Sequence, residues 1–374
     1  MLPKREERRT DACDVVVVGA GLVGAAVAAR LKREGFDTAI LEARRVTGGA
    51  TGRSLGMVLL GLAGSYSWAV SVYGRQRARE IWALTADGRA RLVETARRLG
   101  VPFRRTGSLA LAVDDEQADA LWESAKLLRA DGFDASFTLT DPLGRGFHAA
   151  LRRPDDVRVD AAALTRALLR NADVTVHEGS EVYALEPMGD GVRVWAQGRT
   201  VVCGAVVLAV NGYAALVDPY LAEHVEPVPC LVCASEPLAE PFPDRLCTVD
   251  CDQGFLRALP DGRLLLGTWQ RQGSLPAVGC LEDRLGDFVS RHFPEFDLKS
   301  ADRWSEVMGF TPDGLPLLGR LPSIPQAYFA VGFGGRGLSW AFVVAERLVD
   351  AMLHDAQLGL LSASRLEDSD PSPA

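Results

Sequence analysis

The chain lacks any apolar run long enough to span a bilayer. The charge-free, apolar stretch Val15 to Ala29 is short and glycine-rich, whereas a membrane helix needs about 20 mostly apolar residues. The basic start, Met1 to Thr10, has no apolar core of the kind an export signal carries. Positive charge is in deficit, with 41 Lys and Arg against 49 Asp and Glu and a net charge of −8. Such a field repels nucleic acid and anionic lipid, so neither is expected as a partner. Histidine is scarce, at five residues, and no Ser-His-Asp set, paired carboxylates or metal cluster is evident. Seven cysteines, an odd number scattered along the chain, make no disulfide framework and point to reduced thiols in the cytoplasm. Cys230, Cys233, Cys247 and Cys251 have spacings open to zinc, but they sit in or near β-like runs without the tight turns of zinc knuckles. They read as small buried hydrophobes, and no metal is expected.

The length suits two domains of roughly 100–200 residues each. Asp14 to Val18 is a β-branched run ending at glycine, the pattern of a strand buried on both faces of a parallel sheet. Leu22 to Glu34 reads as a helix stopped by Gly35, and Thr38 to Leu41 as the next strand. Helix-like segments follow at Arg75 to Leu84, Gly88 to Leu99, Glu116 to Ala130 and Ala161 to Leu169. Strand-like segments dominate from Val174 to Val210 and from Pro227 to Gly267. A helix at Leu281 to His292, a strand at Tyr328 to Val331 and a helix from Leu338 to Leu353 close the pattern, and beyond Asp355 the Ser-, Asp- and Pro-rich chain reads as a frayed tail. No clean linker divides the sequence. A dinucleotide domain ending near residue 150 would leave the second glycine cluster, Gly332 to Gly337, unexplained, so two interleaved domains are expected. The segments 11–85, 145–215 and 300–355 are assigned to a nucleotide domain and 86–144 and 216–299 to a substrate domain, with flexible tails at 1–10 and 356–374.

Gly19-Ala-Gly21-Leu-Val-Gly24 follows the first strand, opens the first helix and precedes a strand ending in Glu42, the context that gives a glycine motif its meaning. Gly19 permits the tight turn, Gly21 lets backbone approach a pyrophosphate, and Gly24 allows close packing of helix on sheet. The N–H groups of Leu22, Val23 and Gly24 then face an anion. Glu42, with Ala43 and Arg44 after it, suits a ribose hydroxyl and would repel the 2′-phosphate of NADP. The same fingerprint serves NAD and FAD. The next loop, Gly48-Gly49-Ala50-Thr51-Gly52-Arg53-Ser54, has the composition to grip a second phosphate or cover an isoalloxazine ring, or else to form a mobile surface loop.

Asp14 to Met57, Thr311-Pro-Asp-Gly-Leu-Pro-Leu-Leu-Gly319 and Gly332-Phe-Gly-Gly-Arg-Gly-Leu338 resemble the three fingerprints of the D-amino acid oxidase superfamily of flavoenzymes, to which glycine and sarcosine oxidases belong. Ala50 to Ser54, Ala209-Val-Asn-Gly-Tyr213 and Val228 to Leu238 most resemble its γ-glutamylputrescine oxidoreductase branch. The resemblance implies an α/β fold in which a Rossmann-like, glutathione-reductase-type FAD domain is interleaved with an α+β substrate domain built on a mixed, largely antiparallel sheet. It also implies Val182 near the adenine, Asn211 and Gly212 near the cofactor, and Gly314, Leu315, Gly334, Gly335, Arg336, Gly337 and Leu338 around the flavin. The implied activity is oxidation of the C–N bond of an amine or amino acid by hydride transfer to the flavin, which oxygen or another acceptor then reoxidises.

Departures from the branch pattern narrow this reading. Ser54-Leu55-Gly56 stands where Asn-Gly-Gly is usual, leaving the substrate open. Met308 stands where glycine oxidase has a carboxylate-binding arginine, which disfavours a simple glycine-like substrate. Glu306 stands where sarcosine oxidase links its flavin through cysteine, so noncovalent FAD is expected. Arg336, Met308, Phe310 and Trp269 are the candidate substrate-side residues, with Trp304, Phe333 and Trp340 as further apolar lining. Two other readings share these features: a flavin-bearing subunit of a heteromeric complex, and a flavoprotein oxidising 2-hydroxy acids.

Overall fold

The computed structural model describes residues 9–240, 242–249, 254–270 and 278–367. Cys251, residues 1–8 and residues 368–374 of the sequence reading lie outside the described residues. The chain forms two compact units, one of residues up to Gly52 with Ala161–Pro227 and Gly309 onward, the other of Arg53–Asp160 with Val228–Met308.

The first unit is built on the strand Arg9–Val18, whose Val16 and Val17 are fully buried. It lies parallel to Thr38–Leu41 on one side and to Arg199–Leu208 on the other, as expected of a run apolar on both faces. Thr175–His177 extends the parallel array beyond Thr38–Leu41. Arg199–Leu208 is long enough to serve two further partners. Its first half pairs antiparallel with Gly191–Ala196, and its last three residues pair in parallel with Ile324–Val331. The helix Leu22–Arg33 buries Ala25, Ala26, Val27, Ala28 and Leu31 and packs with the helices Ala161–Asn171 and Gly337–His354. Small side chains along it permit that close packing.

The second unit carries a sheet in the order Asp302–Phe310, Glu226–Ala234, Leu264–Trp269, Gly254–Ala258, Leu246–Val249, Ser108–Ala112, Ala149–Arg153, Ser136–Thr138. From Glu226–Ala234 onward every neighbouring pair is antiparallel except Leu246–Val249 against Ser108–Ala112. Leu281, Leu285 and Val289 of the helix Val278–His292 join Leu231, Leu256 and Leu266 in its core. The two architectures are those the sequence implied. Cys230, Cys233 and Cys247 are buried in these strands, and burial pushes the Cys247 thiol up to about 12, the behaviour of a packed hydrophobe.

Several boundaries differ from the sequence reading. Arg75 to Arg98 is one continuous helix with Gly88 buried inside it, because packing outweighs the roughly 1 kcal/mol helix cost of glycine. Residues 53–85 and 145–160, read as nucleotide domain, belong to the second unit. There Leu60 N donates to Asp156, Gly61 N to Thr85 Oγ1, and Ala149–Arg153 pairs with Ser108–Ala112. Asp302 to Met308 likewise stays with that sheet, and residues 216–227, read as substrate domain, join the first unit, where Leu221 and Val225 enter its core. The tail reading fails for 356–367. Ala363 N donates to Leu318 O at 2.8 Å, Leu361 is fully buried, and Arg365 grips Asp313 at 2.7 and 3.0 Å.

Asp156, fully buried, organises the second unit by accepting from Leu60 N, Arg89 and Ser108 Oγ at 3.0, 2.6 and 2.6 Å. Removing it strands two arginines and a backbone donor in the interior. Asp156→Ala should therefore cost about 3–5 kcal/mol of unfolding free energy, read from urea denaturation; a loss below about 1 kcal/mol would contradict this role.

Candidate functional site

The first glycine motif folds as its composition requires. Gly19 has φ +104°, and a Cβ there would lie 2.7 Å from Ala209 O. A Cβ at Gly24 would run into Gly19 O, so the helix Leu22–Arg33 sits on the turn at a distance only glycine allows. Gly21 caps this helix without a side-chain hydrogen bond of its own. Thr51 comes in from the next loop instead, its Oγ1 accepting from Leu22 N at 3.0 Å.

Glu42 closes the other side. Its Oε2 accepts from Ala20 N at 2.8 Å and its Oε1 from Arg44 N at 2.9 Å, which fixes the carboxylate against the turn while each oxygen retains lone pairs. Glu42, Ala43 and Arg44 are held in turn by the neighbouring edge, through Ser180 N to Glu42 O and Gly179 N to Arg44 O at 2.8 and 3.0 Å. Val182 begins the next strand two residues after Ser180. The structure thus brings together Gly19, Gly21, Leu22, Val23, Gly24, Glu42, Ala43, Arg44, Gly49, Ala50 and Thr51, with Val182 nearby along the chain.

A second cluster forms in the same unit around Asn211. Asn211 has φ +45° and accepts through Oδ1 from Phe333 N at 3.2 Å. A Cβ on Gly309 would lie 3.0 Å from that oxygen and 3.0 Å from Gly212 N, and Gly334 N donates to Gly309 O at 2.9 Å. A Cβ on Gly334 would meet Phe310 at 3.5 Å and Gly314 O at 3.7 Å. Leu315 O accepts from Thr311 Oγ1 at 2.7 Å, closing the Thr311 to Leu315 turn. Gly335 leads to Arg336, which is buried and caps the helix that begins at Gly337 and Leu338. A guanidinium at a helix N-terminus concentrates positive potential.

The remaining candidates belong to the second unit. Arg53 Nη1 donates to Ser305 O at 2.8 Å, Trp304 Nε1 donates to Arg53 O at 3.0 Å, and Ser54 follows at the end of the short helix Ala50–Arg53. Trp269 and Met308 are buried there, while Phe310, Phe333 and Trp340 are buried in the first unit. Four features escaped the sequence reading: Gly309, the Arg44 to Tyr213 contact at 3.2 Å, the Asp313 to Arg365 pair, and the burial of Glu306. Tyr213 was visible only as the end of a motif and Glu306 as the residue at the flavin-linking position, without its burial, and nothing in the sequence marks Arg365.

Glu306 is 8% exposed and its Oε2 finds no partner among the described residues. Burial pushes its carboxyl up to about 7, against the lowering effect of Arg53.

Residues 14–351 match the profile of the FAD dependent oxidoreductase family. The chain belongs to that family. It is 27% identical over 371 residues to gamma-glutamylputrescine oxidoreductase of Escherichia coli (strain K12), covering 92% of this chain and 84% of that protein. It is 25% identical over 355 residues to glycine oxidase of Bacillus licheniformis, covering 91% and 93%. The crystal structure of glycine oxidase from Geobacillus kaustophilus superposes with a TM-score of 0.72 at 23% identity over 93% of this chain and 96% of that one, a likeness of fold. As an FAD-dependent oxidoreductase, the chain has residues that suit its cofactor. The turn that any side chain would fill, the N–H groups at the helix start and the backbone-anchored Glu42 carboxylate suit close approach, an anion and a hydroxyl group. Among the described residues no helix is long and apolar enough to cross a membrane.

Glu42→Ala should leave the fold intact by circular dichroism yet weaken FAD binding about tenfold or more, the worth of a charge-assisted hydrogen bond; unchanged affinity would remove Glu42 from the site. For Glu306, the native carboxyl holds its proton up to about 7 against an ordinary 4.5. Its stabilising contribution is full below the ordinary value and is lost as pH rises through 7. The melting temperature of the parent should therefore fall relative to Glu306→Gln between about pH 5 and 8; parallel profiles would show that this carboxyl is not shifted.

Proposed function

We propose that the protein oxidises the C–N bond of an amine or amino acid, with noncovalently held FAD and with oxygen or another acceptor closing the cycle, in the cytoplasm. The observation that carries this reading is the pairing, within one unit, of the Gly19 to Gly24 turn and Glu42 with the Asn211, Gly309 and Gly334 cluster. The relatives' names, γ-glutamylputrescine oxidoreductase and glycine oxidase, support an amine substrate, and the departure at Met308 argues against a simple glycine-like one.

Bound FAD supplies the hydride acceptor. Gly19, Gly21, Gly24 and Thr51 would hold the pyrophosphate and Glu42 the ribose, while Asn211, Gly212, Gly314, Leu315 and Gly334 would shape the flavin end. Arg336, fixed at a helix N-terminus, would hold negative charge there, whether a substrate carboxylate or the charge that builds up on reduction. Phe310 would supply apolar lining that strips water from a neutral amine. Glu306 offers a carboxyl in place of a linking cysteine, consistent with a cofactor that acid releases into solution.

Anaerobic mixing with γ-glutamyl amines, polyamines, N-methyl amino acids and D-amino acids, followed by flavin bleaching, tests the proposal. Bleaching by a member of this set with release of ammonia or amine is expected; bleaching by 2-hydroxy acids alone would overturn it. With the active substrate, Arg336→Met should lower kcat/KM by about 100-fold or more with FAD content unchanged; a variant as fast as the parent would take Arg336 out of the reaction.

A further inference from the structure

The second unit holds a small cavity apart from every residue assigned to the cofactor or substrate. It measures about 30 Å³ and lies among Tyr66, Trp82, Leu128, Leu151, Arg153 and Thr248. That volume admits a single water-sized guest. Trp82, Arg153 and Thr248 are 1%, 5% and 2% exposed, and each carries an atom with no partner among the described residues: the indole Nε1, the guanidinium Nη2 and the hydroxyl Oγ1. Three orphaned polar groups lining one cavity are unusual, since each left unmade costs about 1–3 kcal/mol.

The other polar groups around the cavity are engaged. Ser65 and Ser124 both bond the Ser67 hydroxyl at 3.0 Å. Gln117 Oε1 accepts from Val113 N at 3.2 Å. Tyr66 donates to Asp131 at 2.7 Å, and Asp131 is matched by Arg75 at 2.9 Å. What remains is two committed donors, Trp82 N–H and Arg153 N–H, plus a rotatable hydroxyl. Among the described side chains such a set is donor-rich, the Thr248 oxygen being its one free acceptor, which suits an anion better than a water molecule with two hydrogens to place.

The local charge has the matching sign. Asp156 meets Arg89 at 2.6 Å and Arg153 at 3.3 Å, one carboxylate between two guanidinium groups. Asp155, about half exposed, reaches Arg89 only at 4.0 Å and is shared with Arg105 at 2.9 Å. A buried positive charge is thus left without a full counterion, a costly state unless an anion supplies one.

We propose that this cavity binds a small monovalent anion of halide size, held by Trp82 Nε1, Arg153 Nη2 and Thr248 Oγ1. Arg153 also donates to Leu60 O at 3.2 Å and to Ser108 Oγ at 3.2 Å, so occupancy braces the segment at Leu60 and stabilises the second unit. The site is independent of the flavin reading.

The test compares the purified full chain in sodium chloride or bromide with sodium methanesulfonate at equal ionic strength. Expected are a saturable rise in melting temperature with either halide and, in bromide-soaked crystals, an anomalous peak among the three named atoms. Thr248→Val and Trp82→Phe, which keep Arg153 and its ion pairs, should each raise the half-saturating bromide concentration about tenfold, the worth of one hydrogen bond to a charged group. Equal melting in halide and methanesulfonate, a cavity holding water alone, or a halide response undiminished in both variants would overturn the proposal. Flavin absorbance followed in the same samples reports separately on the cofactor.

Discussion

The approach of Gly24 to the Gly19 carbonyl is the constraint on which the first unit depends. Any side chain at Gly24 would collide with that oxygen, and any at Gly19 would press on Ala209 O. Because neither carries one, the helix Leu22–Arg33 starts directly above the end of the buried strand. Ala20 N can then reach Glu42, and Leu22 N can reach Thr51. The parallel order of strands follows from the same geometry, since it places the ends of Arg9–Val18, Thr38–Leu41 and Arg199–Leu208 side by side.

The second unit solves a different problem, that of placing charge inside an antiparallel fold. Asp156 ties the Leu60 backbone, Arg89 and Ser108 into one network, with Arg153 alongside. Such a network is costly if any member is left unsatisfied, and Arg153 Nη2 is where, among the described residues, it stays open. Glu306 is the opposite case, a lone buried acid that keeps its proton toward neutrality because burial outweighs the pull of Arg53.

Much of the first unit was legible because its rules are local. The Val15 to Val18 run, the glycine spacing and the strand ending at Glu42 each state their structure within a few residues, and Leu22–Arg33 and Thr38–Leu41 form where periodicity places them. The unit boundaries were not legible. Residues 53–85 carry no mark of belonging with Ser108 and Asp156, since that membership is decided by bonds to residues up to a hundred positions away. The same holds at the end of the chain, where a Ser-rich composition conceals Arg365 paired to Asp313. Gly88 shows the limit of propensity, because a buried helix face tolerates a glycine that an exposed one would not. The cluster around Asn211 needed both local motifs and contacts of long range, and only the motifs could be read in advance.

The central claim is that the Gly19 to Gly24 turn and Glu42 form a cradle for FAD. Titration of cofactor-free chain with FAD and, separately, with NADPH, followed by flavin and nicotinamide absorbance and by calorimetry, tests it most directly. The account predicts saturable uptake of one FAD per chain and no binding of NADPH, whose 2′-phosphate Glu42 would repel. A chain that takes up no FAD, or that prefers NADPH, would contradict it.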